Sequence, residues 1–248
     1  SPPIVISASG NSETLTVNAN AEKQWKLNSQ WGLGKQLRLL QGNLVSSTLK
    51  LPELSPQQRL TIALKGLDGD KWLPTLIAFS SLTPSENAVS FPDNVHISLP
   101  DLNFAGQKWN NPQTEIMRVN DGVKLAFSGS ELRGDVFIPE TSAPWLVNIN
   151  YLYFNGASSS QEEKPLKMAN IPDPNGLKFS VKNIPSIDFE CRECWINGLL
   201  LGKIKGSLKQ NKGALFLTDG KLENSSGELN VNGEWSEDLD GNNTTKLT

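Results

Sequence analysis

Long apolar runs, clusters of basic residues and metal-binding side chains are all scarce in this chain of 248 residues. No run approaches the roughly 20 apolar residues that a membrane-spanning helix needs. The 23 Lys and Arg residues are scattered and the formal net charge is −3, which argues against a nucleic-acid-binding surface or a polybasic membrane patch. One His and two Cys residues provide too few ligands for a zinc site, so we predict no metal and no cofactor.

Catalytic signatures are missing as well. The chain has no Gly-x-Ser-x-Gly elbow, and Gly34-Lys35 lacks the other residues of a phosphate-binding loop. His96, the only histidine, has no adjacent nucleophile motif and is more typical of an ordinary strand residue. Since no pair among the 26 carboxylates stands out, a hydrolase that uses such a pair is a distant third hypothesis. We predict that the chain is not an enzyme.

Hydrophobic residues make up 37% of the chain, below the roughly 45–50% usual in compact domains. Asn, Ser, Gln, Gly and Thr fill the difference. This composition is typical of strands that have one polar face and of many turns, and it argues against a deep, closed core.

Alternation of apolar and polar residues, the pattern of a strand with one buried face, recurs along the whole chain. The turn Asn120-Asp121-Gly122 predicts a hairpin, and Asp219-Gly220 is interpreted as a turn between two short strands. The predicted strands are 4–7, 15–19, 24–31, 36–45, 48–51, 59–65, 95–99, 123–127, 132–138, 145–154, 201–208, 213–217, 221–222 and 227–235.

Two segments depart from this pattern. Residues 70–79 predict a short helix, capped by Asp68 or Asp70, that covers one end of a sheet. Residues 156–176 are polar and aperiodic, which predicts a mobile loop inside a single elongated segment, 1–248. The N-terminal residues lead straight into a strand and the C-terminal ones end without a cap, so we expect a fragment of a longer protein.

Many strands carry an aliphatic or aromatic face, yet few helices are predicted that could cover it. One interpretation is a structural or adhesive β-sandwich, whose two sheets cover each other and which binds a protein or glycan partner. The other is a long curved antiparallel sheet whose concave face is an open apolar groove for acyl chains. The predicted lining of that groove is Leu60, Ile62, Leu64, Val95, Ile97, Leu99, Val123, Leu125, Phe127, Val147, Ile149 and Tyr151.

Both cysteines lie in Cys191-Arg192-Glu193-Cys194, for which three interpretations remain open. A thioredoxin-like redox site needs a βαβ context, whereas the flanking residues here predict strands. A zinc site needs more ligands. A structural disulfide or an inert thiol pair is the third, and a disulfide would require a tight turn at residues 192–193, because residues i and i+3 of an extended strand are too far apart.

A resemblance to a known family joins these observations. The stretch Ile187–Trp195 with both cysteines, followed by Leu201–Gly206, resembles the AsmA-like family. Leu132–Val136, Pro144-Trp145 and Gly227–Trp235 are similar to it too. The resemblance covers roughly residues 50–240.

The resemblance implies a mainly-β fold, a long taco-like groove with one or two short helices. Members of the family are anchored in the inner membrane of diderm bacteria, extend across the periplasm and support phospholipid transport to the outer membrane. The implied partners are phospholipid acyl chains and the rest of a longer, inner-membrane-anchored chain. Cys191 and Cys194 match the family's cysteine pair, so we expect a disulfide, and the family offers no catalytic residue.

Overall fold

The structure, a computed structural model, describes residues 3–54, 59–69, 71, 92–156, 184–237 and 243–248. The helix predicted over 70–79 and the loop predicted over 156–176 lie outside these residues, apart from Lys71 and Gly156. Most of the described residues lie in strands, which confirms the mainly-β prediction. Within them, no helix is long and apolar enough to cross a bilayer.

The first nine strands occupy the N-terminal part of the chain and the other nine follow. The former are β1 (Ile4–Gly10), β2 (Thr14–Ala21), β3 (Trp25–Leu33), β4 (Leu37–Ser46), β5 (Arg59–Ala63), β6 (Leu67–Asp68), β7 (Asn94–Ser98), β8 (Asp101–Phe104) and β9 (Gln107–Asn110). The latter are β10 (Gln113–Val119), β11 (Gly122–Ser128), β12 (Leu132–Pro139), β13 (Trp145–Phe154), β14 (Ile187–Ile196), β15 (Leu199–Asn211), β16 (Ala214–Asn224), β17 (Gly227–Glu237) and β18 (Asn243–Leu247).

Fifteen strands form one open sheet in the order β1-β2-β3-β4-β5-β7-β10-β11-β12-β13-β14-β15-β16-β17-β18, and β6, β8 and β9 form a small second sheet. We expected antiparallel pairing throughout, whereas the sheet is mixed. The pairs β4–β5, β5–β7 and β13–β14 are parallel. Parallel neighbours need a crossover of about a dozen residues or more, and 47–58, 64–93 and 155–186 supply these connections.

The chain divides into two compact units. The first unit comprises Ser1–Asn103, Lys108–Val119 and Lys124–Gly129, and the second comprises Phe104–Gln107, Asn120–Val123 and Ser130–Thr248.

In the first unit, the connection that leaves β4 lies against one face of the sheet. Asn43 donates from Nδ2 to the carbonyl oxygens of Pro52 and Glu53, at 3.4 and 3.3 Å. Asn28 donates to Pro52 O at 2.8 Å, and Lys26 Nζ donates to the carbonyl of Leu49 at 3.3 Å. These bonds satisfy backbone acceptors that have no strand partner, so the polar side chains hold the connection in place.

In the second unit, the expected turn at Asp219-Gly220 is a β-bulge inside one continuous strand, β16, so that expectation was wrong. The register with β17 shifts between Leu217 and Gly220, and Asp219 has a φ of 54°. A Cβ at Gly220 would lie 2.3 Å from the carbonyl oxygen of Val231. The Asp-Gly pair therefore provides the left-handed residue and the close approach that a bulge needs.

Candidate functional site

In the first unit, the strand register aligns apolar side chains from seven strands on one face of the sheet. Residues paired across neighbouring strands point to the same face, and their neighbours in sequence point to the other. One row of paired residues is Ile6, Ala19, Leu27, Leu44, Ile62, Ile97 and Thr114. The next row is Ala8, Val17, Ser29, Gly42, Leu60, Val95 and Ile116. We call these two rows the first apolar face.

The opposite face of the first unit is polar. Its row from β3 to β10 is Asn28, Asn43, Thr61, His96 and Glu115. His96 Nδ1 lies 2.5 Å from Glu115 Oε1, and the Arg59 guanidinium lies 3.8 Å from the same oxygen. His96 is therefore a paired residue of the polar face, as the sequence predicted for an ordinary strand histidine.

The second unit has a corresponding apolar face. Its rows run between β12 and β18, and we call them the second apolar face. One row is Gly134, Ile149, Cys191, Ile204, Leu222 and Leu229. Another is Trp145, Ile187, Leu208, Leu217, Gly233 and Leu247, and a third joins Val136, Val147, Phe189 and Gly206.

Charged side chains occupy the other face of the second unit. Lys203 Nζ lies 3.2 Å from Glu190 Oε1, and Lys221 Nζ lies 2.7 Å from Glu228 Oε2. The hydrogen bond between Lys221 and Glu228 raises the pKa of the lysine and lowers the pKa of the glutamate, against a smaller opposing effect of desolvation. Each apolar face is therefore backed by a face that favours water.

Exposure separates these faces from an ordinary core. All twelve residues of the predicted lining are described, and every one is half-buried. Within the described ranges, the fully buried apolar residues are few and most are small or belong to the disulfide: Ala19, Ala21, Leu39, Val45, Trp109, Cys191, Cys194 and Leu215. Rows of partly exposed aliphatic side chains are what an apolar binding surface requires.

The register places six residues of the predicted lining on the two apolar faces, four in the first unit and two in the second. Leu60, Ile62, Val95 and Ile97 are paired neighbours on the first apolar face, and Val147 and Ile149 lie on the second. Leu64 and Leu99 directly follow β5 and β7. Val123, Leu125 and Phe127 alternate along β11 and so share one face of that strand.

Tyr151 is separated from this set by a bulge. The register of β12 and β13 shifts between Arg133 and Gly134, so Arg133 pairs with Tyr151. The Arg133 guanidinium carbon lies 4.3 Å from the centre of the Tyr151 ring, in a cation–π contact. Simple alternation from Ile149 to Tyr151, on which the prediction rested, does not hold across a bulge.

The cysteine pair shows which residue of β13 is the next one after Ile149 on the same face of the sheet. Cys191 pairs with Ile149, Cys194 pairs with Leu152, and the two cysteines form a disulfide with Cα atoms 6.1 Å apart. Because bonded sulfurs lie on one side of the sheet, Leu152 shares the face of Ile149. The required shortening comes from a register shift at Arg192-Glu193 within β14 rather than from a turn that ends the strand.

Several residues of the apolar faces were missed by the sequence reasoning. Leu27 and Leu44 lie in predicted strands, and a systematic search for alternating apolar residues in those strands would have found them. Ile116 lies in β10, a strand that was not predicted. Phe189, Ile204 and Leu222 also alternate, but their face depends on the register around the bulges. Among the described residues, no group of three or more His, Cys, Asp or Glu side chains could hold a metal ion.

A comparison with protein families identifies the family of this chain. The family model of the YhdP protein matches residues 2–248. The chain belongs to the YhdP family. The resemblance found in the cysteine-containing stretch is thereby confirmed, and the YhdP match extends it to nearly the whole chain.

A comparison with one curated member of the YhdP family gives the sequence identity and the share of each chain that matches. The chain is 28% identical over 237 residues to the intermembrane phospholipid transporter YhdP of Escherichia coli strain K12. The match covers 96% of this chain and 18% of that relative, so the chain spans about a fifth of the relative's length. No solved structure matches.

Proposed function

We propose that the two apolar faces hold the acyl chains of phospholipids during transport between two membranes. The observation that supports this most directly is the register, which lines up aliphatic side chains from successive strands into half-exposed rows. The E. coli relative is named for phospholipid transport between membranes, which names the cargo class.

The physical basis is passive shielding, without a chemical step. Moving a CH₂ group from water to an apolar surface gains about 0.8 kcal/mol, so a single acyl chain gains several kcal/mol from contact with such rows. The head group stays in water beyond the rows. In this proposal each apolar face is part of a groove wall, and the chain is a single segment of a longer groove-forming protein.

The setting we propose follows the family. The chain works in the periplasm of a diderm bacterium, as part of a longer chain with an inner-membrane anchor, and supports phospholipid transport to the outer membrane. A β-sandwich that binds a protein or glycan is less well supported, because the second sheet in the described part has three strands and the first has fifteen.

Native mass spectrometry of the purified chain, with lipid extraction from the same sample, tests the proposal. We expect phospholipid to co-purify with the wild-type chain. Ile149→Lys places an ammonium group in the second apolar face and should remove the lipid held by that face, since a charge cannot be buried beside an acyl chain without a partner.

Asn148→Lys is the matched control. Asn148 adjoins Ile149 but points to the opposite face, where its neighbours in register are Asp135 and Glu190. A lysine there gains two carboxylate neighbours and should leave the bound lipid in place. A wild-type chain free of lipid, or equal lipid content in both variants, would contradict the proposal.

A further inference from the structure

Exposed apolar residues flank the turn of the hairpin between β14 and β15. The turn residues Asn197 and Gly198 have φ values of 50° and 76°, which suit a tight two-residue hairpin turn. Next to the turn, Leu199 is 64% exposed, Leu200 42% and Ile196 38%. We call Trp195–Leu201 the apolar tip.

The tip is apolar on both faces of the sheet. Ile196 pairs with Leu199, and Trp195 pairs with Leu200. Successive pairs point to opposite faces, so neither face of the tip carries the polar side chains found elsewhere in the second unit. A protein that packs against one face would cover only one of these pairs, whereas a bilayer surrounds both.

Aromatic residues lie in the same two rows as the aliphatic ones. On the neighbouring strand β13, Tyr153 pairs with Trp195 and Phe154 pairs with Ile196. The indole nitrogen of Trp195 donates to Glu193 Oε1 at 2.9 Å. Tyr and Trp, which have an apolar body and one polar group, are enriched where a bilayer meets water.

Charged residues begin behind these two rows, at Arg192, Glu193 and Lys203. The apolar part of the hairpin therefore extends about two residue pairs, or roughly 7 Å at about 3.3 Å per residue. Structures that lie in the bilayer interface bury their apolar side to a depth of about 5–10 Å. The depth of the tip matches this layer.

The adjacent hairpin shows that such a tip is not required by the fold. β16 and β17 are joined at Asn224-Ser225-Ser226-Gly227, a polar turn in which Asn224 accepts a hydrogen bond from Ser226 N at 2.8 Å. The pairing of β15 with β16 reaches only as far towards the tip as Lys203. Leu199 and Leu200 therefore extend past the neighbouring strand.

We propose that the apolar tip inserts into the interfacial layer of a phospholipid bilayer. This contact is separate from the apolar faces, since it concerns the end of a hairpin rather than the surface that would hold acyl chains. It gives the chain a place at which it touches a membrane surface directly.

Flotation of the 248-residue chain with vesicles of phosphatidylethanolamine and phosphatidylglycerol tests the proposal. The wild-type chain should float with the vesicles. Leu199→Ser with Leu200→Ser should lower the partition coefficient by about tenfold or more, because the aliphatic carbons that enter the bilayer are lost. Leu199→Met with Leu200→Met should restore it.

Leu33 and Leu37 provide the matched control. They are 41% and 42% exposed and flank a hairpin turn that contains Lys35, so Leu33→Ser with Leu37→Ser removes similar apolar area at a polar tip. This variant should float like the wild type. Circular dichroism of all variants establishes that they are folded.

Quenching of tryptophan fluorescence by brominated phosphatidylcholine shows which part of the chain contacts the bilayer. Part of the tryptophan fluorescence of the wild-type chain should be quenched on vesicle binding, and Trp195→Phe should remove that part. A wild-type chain that does not float, or tip and control variants that float equally, overturns the proposal and favours a protein partner at the tip. Lipid retained by the non-floating tip variant would separate this contact from the acyl-chain proposal.

Discussion

The two compact units have the same kind of apolar face but different opposite faces. In the first unit, the opposite face carries mostly amide and hydroxyl side chains, beside the cluster of Arg59, His96 and Glu115. Three of its residues hold the connection that follows β4. In the second unit, the opposite face carries ion pairs, such as Lys203 with Glu190 and Lys221 with Glu228.

This difference shows which face the two units have in common. Hydrogen bonds to backbone carbonyls and ion pairs in water stabilise a strand in unrelated ways, and either suffices for a solvent-facing surface. The aliphatic rows, in contrast, occur in both units with Leu, Ile and Val at paired positions. The apolar faces are therefore the shared feature, and the opposite faces are local solutions to stability.

The largest expected effect tests whether the first apolar face behaves like the second. Ile62→Glu places a carboxylate between Leu44 and Ile97. We expect complete loss of lipid retained by the first unit, because a charge among aliphatic side chains has no compensating partner. Native mass spectrometry of the Ile149→Lys chain, with and without Ile62→Glu, measures any lipid held by the first face alone.

Thr61→Glu is the control for this variant. Its carboxylate would lie on the polar face near Arg59, whose Nε is 3.4 Å from Thr61 Oγ1, and beside His96. We expect lipid retention as in the wild type. Equal retention by Ile62→Glu and Thr61→Glu would mean that the two units differ in function as well as in their opposite faces.

Asn43→Ala should destabilise the first unit. Asn43 is 4% exposed and also donates to Asn28 Oδ1 at 2.9 Å. Its removal leaves the carbonyls of Pro52 and Glu53 with weaker partners, which costs about 1–3 kcal/mol of unfolding free energy. Urea denaturation measures the change, and Asn18→Ala, at an exposed position of the same face, should leave the midpoint unchanged.

Removal of the disulfide tests the bulge of the second unit. By the loop-entropy relation, Cys191→Ser with Cys194→Ser should cost about 2 kcal/mol, because the bond closes only a short loop. The urea midpoint without reductant should fall relative to the wild type, and the two midpoints should coincide once a thiol reductant is added. A wild-type midpoint that does not respond to reductant, although mass analysis shows free thiols, would contradict this.

Strand positions could be predicted well because alternation is a local signal. β13 was predicted at its observed bounds, and the hairpin at Asn120-Asp121 is present as expected. The cysteine-containing stretch also carried enough family-specific residues to indicate the family. Local patterns and a short motif thus predicted the fold class and the family.

Register and bulges could not be predicted in the same way. Asp219-Gly220 has the composition of a turn, but the pairing of β16 with β15 and β17 continues across it as a bulge. Tyr151 alternates with Ile149 in sequence, yet the pairing with Arg133 removes it from the apolar face. Parallel pairing likewise depends on where a long connection returns, which no local pattern encodes.

The smallest expected effect concerns the ion pair of Lys221 and Glu228 on the charged face of the second unit. The raised pKa of Lys221 and the lowered pKa of Glu228 define a pH window. The glutamate contributes stability above its ordinary pKa, and this is lost as the pH falls through its lowered value. The lysine contributes stability below its ordinary pKa, and this is lost as the pH rises through its raised value.

Glu228→Gln should therefore lower the melting temperature slightly at neutral pH, and the difference from the wild type should vanish in acid and at strongly alkaline pH. Because the pair lies at the surface, added salt should also reduce the difference. Glu223→Gln serves as the comparison, since Glu223 Oε2 lies 3.7 Å from Lys221 Nζ, and its effect should be smaller. A Glu228→Gln effect that does not change with pH would mean that packing, rather than charge, stabilises this face.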